Sequence, residues 1–233
     1  MTFPKVEIFH IEGRRSERPA WLMEELGEAY ELFFERGDVA GSMAMARAAH
    51  PMSLAPTVRI DGETLVESGA ILELICTKYA DGRMWVPAHS KDYSVHLLWM
   101  HYAEGSAAPR LLQDFMLHTQ DPAGLNELAK RLLGSTTRMM DMVEAHLRER
   151  PYFGGRNFTA ADIMMEFVVR NAKMWGVDMA GVYPKTGDWL DTVHQRPAYK
   201  QMLAKALPDG PLPLPEMFTS PWLADTGKGL VNR

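Results

Sequence analysis

The stretch APTVRIDGETLVES, residues 55–68, decides how the first third of the chain folds. Two runs of alternating and β-branched residues predict two strands on either side of an Asp-Gly pair. Such a pair is typical of a two-residue type I′ hairpin turn, because both central residues of that turn need a positive φ. Apolar residues at helical spacing then predict a helix, with Ser68 placed to cap it. The predicted elements are strands Thr57–Ile60 and Thr64–Val66, a turn at Asp61-Gly62 and a helix carrying Ile71, Leu74 and Ile75.

The end of this hairpin predicts a ligand site. The first N–H groups of a helix have no partners within it, so they can bind a carboxylate, and the Ser68 hydroxyl can add a hydrogen bond. Glu67 can bind an ammonium group. Pro56 favours an extended Ala55, whose backbone can pair with an extended peptide. A peptide with a free α-amino-acid end would fit both halves. The alternative interpretation is a capping serine after an ordinary trans X-Pro loop.

The order of elements predicts a layered α/β domain followed by helices. The N-terminal part has the predicted order β-α-β-α-β-β-α over residues 1–80. A proline-containing linker at 80–89 precedes an all-helical part over residues 90–207, and a Pro/Gly-rich tail over 208–233 is expected to be extended. The further predicted elements are strands Val6–His10 and Tyr30–Phe34, and helices Ser16–Leu26, Ser42–Ala49, Tyr93–Leu117, Leu125–Leu147, Thr186–His194 and Ala198–Leu207, with a capping box from Thr159 to Asp162.

Composition limits the classes of function. The 233 residues carry a formal net charge of −5, which argues against nucleic acid or an anionic membrane as the main partner. A single cysteine cannot form an internal disulfide and favours the reducing cytoplasm. The histidines lack metal-site spacing, so no metal is predicted.

Three segments, in order along the chain, resemble the cytosolic glutathione transferase family, in particular its bacterial and fungal branch. They are HPMSLAPTVRIDGETLVESGAI (50–71), HYAEGS (101–106) and FTAADIMM (158–165). The resemblance implies a thioredoxin-like N-terminal domain, an all-helical C-terminal domain, a homodimer and glutathione as co-substrate without a metal. It also favours a cis peptide bond between Ala55 and Pro56.

The resemblance further implies a glutathione-binding set, which consists of His50, Leu54, Ala55, Pro56, Glu67 and Ser68. Leu54 departs from the family pattern, in which a lysine or glutamine commonly contacts the glycine carboxylate of glutathione. Leucine has no donor for that contact. His50, Arg14 and Arg15 are candidates to replace it, and weaker binding or a different thiol substrate is the alternative.

The catalytic group is expected in the first loop, where family members stabilise the glutathione thiolate. Ser16 is the only hydroxyl there, and Arg15 would add positive potential. Ser16 is equally well explained as a helix N-cap. Tyr102 and Ser106, which share a helix face, are candidates for contact with the second substrate, against a role in packing.

The function that the sequence predicts is therefore a glutathione transferase. It would stabilise the thiolate for attack on a small hydrophobic electrophile or a peroxide. Conjugation, hydroperoxide reduction and thiol transfer are left open. The alternative is a non-catalytic ligand carrier or interaction protein of the same fold. Two features favour this alternative: the leucine at position 54, and the absence of Tyr and Cys from the first loop.

Overall fold

The computed structural model of the chain describes residues 3–52, 55–118, 127 and 135–210. Three predicted features lie outside these residues: the Leu54 contact, the first part of the helix Leu125–Leu147 and the tail from residue 211. Within them, the predicted α/β domain followed by a helical domain is confirmed.

The N-terminal part is a four-stranded sheet with helices, in the thioredoxin-like arrangement. Its strands are β1 Val6–Phe9, β2 Glu31–Phe33, β3 Thr57–Ile60 and β4 Glu63–Val66. They lie in the order β2-β1-β3-β4, with β1 and β2 parallel and the other pairs antiparallel. Val6 pairs with Ile60 and Thr57 with Val66, so the hairpin continues the sheet from β1. The helices are α1 Glu17–Leu26, α2 Val39–Ala49 and α3 Ser68–Leu74, which a π-helical turn, Ile75–Tyr79, extends.

The hairpin has the predicted turn. Asp61 and Gly62 both have positive φ, at 47° and 88°. The Asp61 carboxylate also accepts a hydrogen bond from the backbone N–H of Lys5, which fastens the turn to the chain just before β1. The Ala55–Pro56 peptide bond is cis, as the resemblance favoured.

The elements of the described C-terminal part are all helices. They are α4 Tyr93–Tyr102, a π-helical turn Ala103–Ala107, α5 Ala108–His118, α6 Ser135–Glu149, α7 Ala160–Met174, α8 Pro184–His194 and α9 Pro197–Ala206. The predicted helix Tyr93–Leu117 is thus correct in extent but contains a π-helical turn at HYAEGS. Such turns are rare and frequently lie at functional sites.

Helix α7 lies at the centre of the molecule. It packs against α1 and α3 of the first domain and against α4, α5 and α8 of the second. Its predicted capping box is confirmed: the Thr159 side chain accepts from Ala161 N, and the Asp162 carboxylate accepts from Thr159 N at 2.9 Å. Asp162 also accepts from Phe153 N and from the indole of Trp189, so one carboxylate joins three segments.

The N-terminal ends of two helices differ from the sequence prediction. Helix α2 begins at Val39 rather than Ser42, because Asp38 caps it by accepting from Gly41 N. Helix α3 begins at Ser68, with Glu67 at the N-cap position, and no side chain caps it. The prediction that Ser68 caps this helix is therefore wrong. No helix among the described residues is both long and apolar enough to cross a membrane.

Candidate functional site

A cavity of about 140 Å³ lies where the hairpin meets the first loop and the π-helical turn of the second domain. We call it the polar cavity. Its lining includes five of the ten site residues that the sequence predicted, together with one acid from the second domain: Arg15, Ala55, Pro56, Glu67, Ser68 and Glu104. Residues distant along the chain therefore meet at one site.

Glu67 is held in an unusual backbone conformation. Its φ is 74° and its ψ is 105°, which a non-glycine residue rarely adopts. Such a conformation costs on the order of 1–3 kcal/mol and persists only where the surrounding structure enforces it, commonly at functional sites. Here it lies between β4 and the first residue of α3, and it places Glu67 on the wall of the polar cavity.

Arg18 supports the floor of the polar cavity and was not identified from the sequence. Only 2% of its side chain is exposed, and its Nη1 donates to Ser68 Oγ at 2.8 Å and to a Glu104 carboxylate oxygen. Its Nη2 donates to the carbonyl of Met164 at 2.7 Å. One guanidinium thus connects α1, α3, α7 and the π-helical turn. The sequence does place Arg18 on the apolar face of α1, because it lies three residues before Trp21 and four before Leu22. That position was the signal for a buried arginine.

Glu104 neutralises part of the positive charge around the polar cavity. It accepts from Arg15 Nε at 2.7 Å as well as from Arg18. Burial alone would raise the pKa of this carboxyl, but the two guanidinium groups outweigh it and hold the pKa below its usual value. Because one carboxylate faces two arginines, this cluster keeps a net positive charge.

Arg15 stands between the polar cavity and a second, largely apolar cavity of about 250 Å³. We call this second one the apolar cavity. Phe167 contributes to its wall, and the Arg15 guanidinium lies 5.0 Å from the centre of that ring. The lining consists of Gly13, Arg14, Arg15, Ala108, Leu111, Leu112, Phe167, Val168, Asn171, Met174 and Trp175.

Tyr102 and Ser106 line neither cavity. The Tyr102 ring packs edge-on against Trp99 at 5.4 Å, and burial raises the pKa of its hydroxyl. The apolar wall is supplied instead by α5 and α7, further along the chain than the predicted pair. The geometry therefore favours packing for Tyr102, and the predicted contact of both residues with a second substrate stays without support.

The Ser16 hydroxyl is turned away from both cavities and is completely buried. It accepts from Ile11 N at 3.0 Å and lies 2.9 Å from His10 Nδ1. His10 Nε2 faces the carbonyl of Ala206, which only accepts, so Nε2 carries the hydrogen. Burial lowers the pKa of His10 to about 4, so the ring is neutral and Nδ1 accepts from Ser16. The Ile11 carbonyl, 3.2 Å from Ser16 Oγ, is a second acceptor for the hydroxyl hydrogen, which is therefore used within the loop.

That arrangement changes the interpretation of Ser16. It occupies the N-cap position of α1 but makes no side-chain capping hydrogen bond. Its hydroxyl instead fixes the loop that presents Arg14 and Arg15. Arg15 is the predicted catalytic residue that the structure brings to the polar cavity.

His50 ends α2 and also lies outside the linings of the two cavities. Its Nδ1 accepts a hydrogen bond from Met52 N at 3.2 Å. The part of the chain that the structure describes contains no group of three or more His, Cys, Asp or Glu side chains placed to hold a metal ion.

Comparison with known proteins agrees with this architecture. Residues 106–197 match the family model "Glutathione S-transferase, C-terminal domain". The chain is 29% identical over 224 residues to Glutathione S-transferase 3 of Schizosaccharomyces pombe, covering 90% of each protein.

Two solved structures illustrate the likeness in fold. A glutathione S-transferase from Actinobacillus pleuropneumoniae has a TM-score of 0.75 at 24% identity, covering 91% of this chain and 98% of that one. A theta class glutathione S-transferase from Xanthomonas axonopodis pv. citri, solved with glutathione bound, has a TM-score of 0.65 at 23% identity, covering 85% and 96%.

Proposed function

Because this chain belongs to the cytosolic glutathione transferase family, we propose that it binds glutathione in the polar cavity and activates its sulfur as a thiolate. The second substrate, an electrophile or a peroxide, occupies the apolar cavity. The observation that carries this proposal is the position of Arg15, whose side chain lines both cavities at once. A sulfur atom bound there would lie beside a cation and face an apolar pocket.

The polar cavity suits the two ends of the γ-glutamyl group. Glu67 would accept hydrogen bonds from its ammonium group, while Ser68 and the first N–H groups of α3 would bind its carboxylate. Arg18 strengthens this arrangement, since it fixes the Ser68 hydroxyl from beneath and adds positive charge. Ala55, held beside the cis Pro56, would pair its backbone with the cysteinyl part.

Arg15 is proposed to stabilise the thiolate electrostatically. Its Nε is used by Glu104, but its two Nη atoms hydrogen bond to no other described residue. An opposite charge nearby favours the ionised form of sulfur, and the thiolate is the nucleophile. The backbone N–H groups of Arg15 and Ser16, at the start of α1, supply further positive potential.

We extend the proposal to assembly and location. The protein would act as a homodimer in the cytoplasm, as the resemblance implied, with residues 1–80 and 90–207 as its two domains. The apolar side chain of Leu98 on α4, which is 46% exposed, is a candidate for burial between subunits. A non-catalytic ligand carrier would use the apolar cavity but would have no need of Arg15 beside the polar one.

The binding site is tested by calorimetry with glutathione and with the dipeptide Cys-Gly, which lacks the γ-glutamyl group. We expect glutathione to bind and Cys-Gly to bind at least tenfold more weakly. Ser68→Ala should reduce glutathione affinity by about tenfold or more, since a hydrogen bond to a charged group contributes about 1.5–3 kcal/mol. Ser94→Ala, at an exposed position of α4, is the control. Equal binding of both ligands would remove the γ-glutamyl site from the proposal.

A further inference from the structure

The apolar cavity has a cation at its edge whose charge is not neutralised. Arg14 lines the cavity and is exposed. Its one recorded hydrogen bond, from Nη1 to the carbonyl of Gly13, is long at 3.4 Å. Within residues 3–52, 55–118, 127 and 135–210, Arg14 makes no ion pair, whereas its neighbour Arg15 is bound to Glu104.

The two other polar side chains of the lining, Arg15 and Asn171, do not offset this charge, since Arg15 is itself a cation. Asn171 donates from Nδ2 to the carbonyl of Phe167, and an amide carries no net charge. The remaining wall is aliphatic, aromatic or thioether, from Leu111 and Met174 to Phe167 and Trp175. An apolar ring would therefore fill the cavity while an anionic substituent met the guanidinium at its edge.

The volume of the apolar cavity is sufficient for such a ring. An engineered apolar cavity of about 150 Å³ binds benzene. The apolar cavity measures about 250 Å³, so one ring with small substituents fits within it. A planar carboxylate matches the fork of donors on a guanidinium, so it is the anion that Arg14 would recognise best.

We propose that the second substrate is a compact aromatic electrophile that carries a carboxylate, with Arg14 as the residue that selects the charge. This proposal rests on the proposed function of the site and adds the chemical class of the substrate. In the simplest such reaction the glutathione thiolate forms a C–S bond to a ring carbon that bears chlorine. The C–Cl bond breaks, chloride leaves, and the thiol proton goes to solvent.

Binding is measured first, without any reaction. The probes are 4-methyl-3-nitrobenzoate and its neutral match 4-methyl-3-nitrobenzamide, titrated by calorimetry into the glutathione-saturated protein. We expect the acid to bind about three- to tenfold more tightly, a range set by the modest strength of a partly exposed ion pair. Arg14→Gln should abolish the difference. Arg138→Gln, which removes an exposed arginine on α6 that lines neither cavity, should preserve it.

Turnover is measured next with the reactive pair, 4-chloro-3-nitrobenzoate and 4-chloro-3-nitrobenzamide. The ratio of their kcat/KM values should fall about three- to tenfold in Arg14→Gln and stay unchanged in Arg138→Gln. Using the ratio within each variant cancels the different intrinsic reactivities of the two chlorides.

The outcomes separate this proposal from the proposed function. Equal affinity for acid and amide in the wild type, binding of neither, or a preference that survives Arg14→Gln would overturn the selection of a carboxylate. Turnover of both chlorides without any preference would do the same and leave the transferase function standing. A binding preference that depends on Arg14 without any turnover would support the carboxylate site and contradict the transferase.

Discussion

Arg18 is the residue on which the polar cavity most depends, although it would touch no substrate. It is buried and its guanidinium is shared among Ser68, Glu104 and the carbonyl of Met164. Removing one member of a buried ion pair leaves the other uncompensated, at a cost of about 3–5 kcal/mol. Glu104 is 29% exposed, which places the expected cost at the lower end.

We therefore expect Arg18→Gln to lower the free energy of unfolding by about 3 kcal/mol in urea denaturation. It should also weaken glutathione binding, because the Ser68 hydroxyl loses its donor. The exposed Arg36, whose ion pair with Asp209 is solvated, serves as control, and Arg36→Gln should change neither quantity by much. A stable Arg18→Gln protein with normal glutathione affinity would show that Ser68 does not need this support.

Ser16→Ala tests the revised role of the first loop. The substitution leaves the buried N–H of Ile11 and Nδ1 of His10 without their partner, which should cost about 1–3 kcal/mol of stability. The pKa of bound glutathione should be unchanged, because the hydroxyl hydrogen is already shared by His10 Nδ1 and the Ile11 carbonyl. Urea denaturation and thiolate absorbance measure the two effects separately. A raised thiol pKa with unchanged stability would return Ser16 to the catalytic role that the sequence suggested.

At the level of the element, Asp162 is the carboxylate that holds the start of α7. It accepts from Thr159 N, Phe153 N and the Trp189 indole, all in the interior. Asp162→Ala leaves three buried donors unsatisfied, so we expect the free energy of unfolding to fall by more than about 3 kcal/mol. The fall is seen as a lower midpoint of urea denaturation. Asp188→Ala, an exposed acid of α8, should change stability by less than about 0.5 kcal/mol. Equal midpoints for the two variants would contradict this account of the capping box.

The stability of the protein should depend on pH through His10, a buried residue whose ring hydrogen bonds to Ala206, the last residue of α9. Burial depresses the pKa of His10 from the usual 6.5 to about 4, so the folded protein excludes a proton that the unfolded chain binds. Stability is therefore full above about pH 6.5 and falls as the pH drops towards 4, by at most about 3 kcal/mol from this group. The difference in unfolding free energy between pH 7 and pH 4.5 should be smaller in His10→Gln. An unchanged difference would mean that His10 does not set it.

The sequence predicted the elements better than it predicted the residues between them. The hairpin was fixed by Asp61-Gly62, and the capping box by the spacing of Thr159 and Asp162, because both depend on neighbours in the chain. Arg18 could not be assigned in this way, since its partners lie up to 146 residues away. Ser16 contacts His10, whose other ring nitrogen bonds to Ala206, 196 residues further along the chain. Whether a hydroxyl faces a cavity or a histidine depends on packing that no local pattern encodes.

At the scale of the whole molecule, the two domains form the site together. Glu104 and Phe167 belong to the helical domain, while Arg15 and Ser68 belong to the α/β domain, and neither cavity is complete without both. The sequence predicted the second-substrate contact at Tyr102 and Ser106, which line neither cavity, whereas Ala108 and Leu111 further along the chain line the apolar cavity. The π-helical turn, which no helical periodicity predicts, changes which side chains face the first domain.

The proposed homodimer is tested by sedimentation velocity. We expect the wild type to sediment at twice the monomer mass of 26.3 kDa. Leu98→Glu should shift the protein towards monomer if that exposed leucine lies between subunits, because a charge would then be buried. Val182→Glu, at an exposed apolar residue just before α8, gives a comparison of similar chemistry at a different surface. A wild-type monomer would contradict the dimer, and an intact Leu98→Glu dimer would place the interface elsewhere.

The central claim is that Arg15, at the junction of the two cavities, holds glutathione as a thiolate. The most direct measurement is the thiolate absorbance of bound glutathione as a function of pH, in the wild type, Arg15→Gln and Arg15→Lys, with Arg138→Gln as control. A free thiol has a pKa of about 8.5, and we expect the bound value to lie clearly below it in the wild type, in Arg15→Lys and in the control. In Arg15→Gln it should rise by about one unit. Bound glutathione that titrates like the free thiol, or identical titrations for the wild type and Arg15→Gln, would contradict the account.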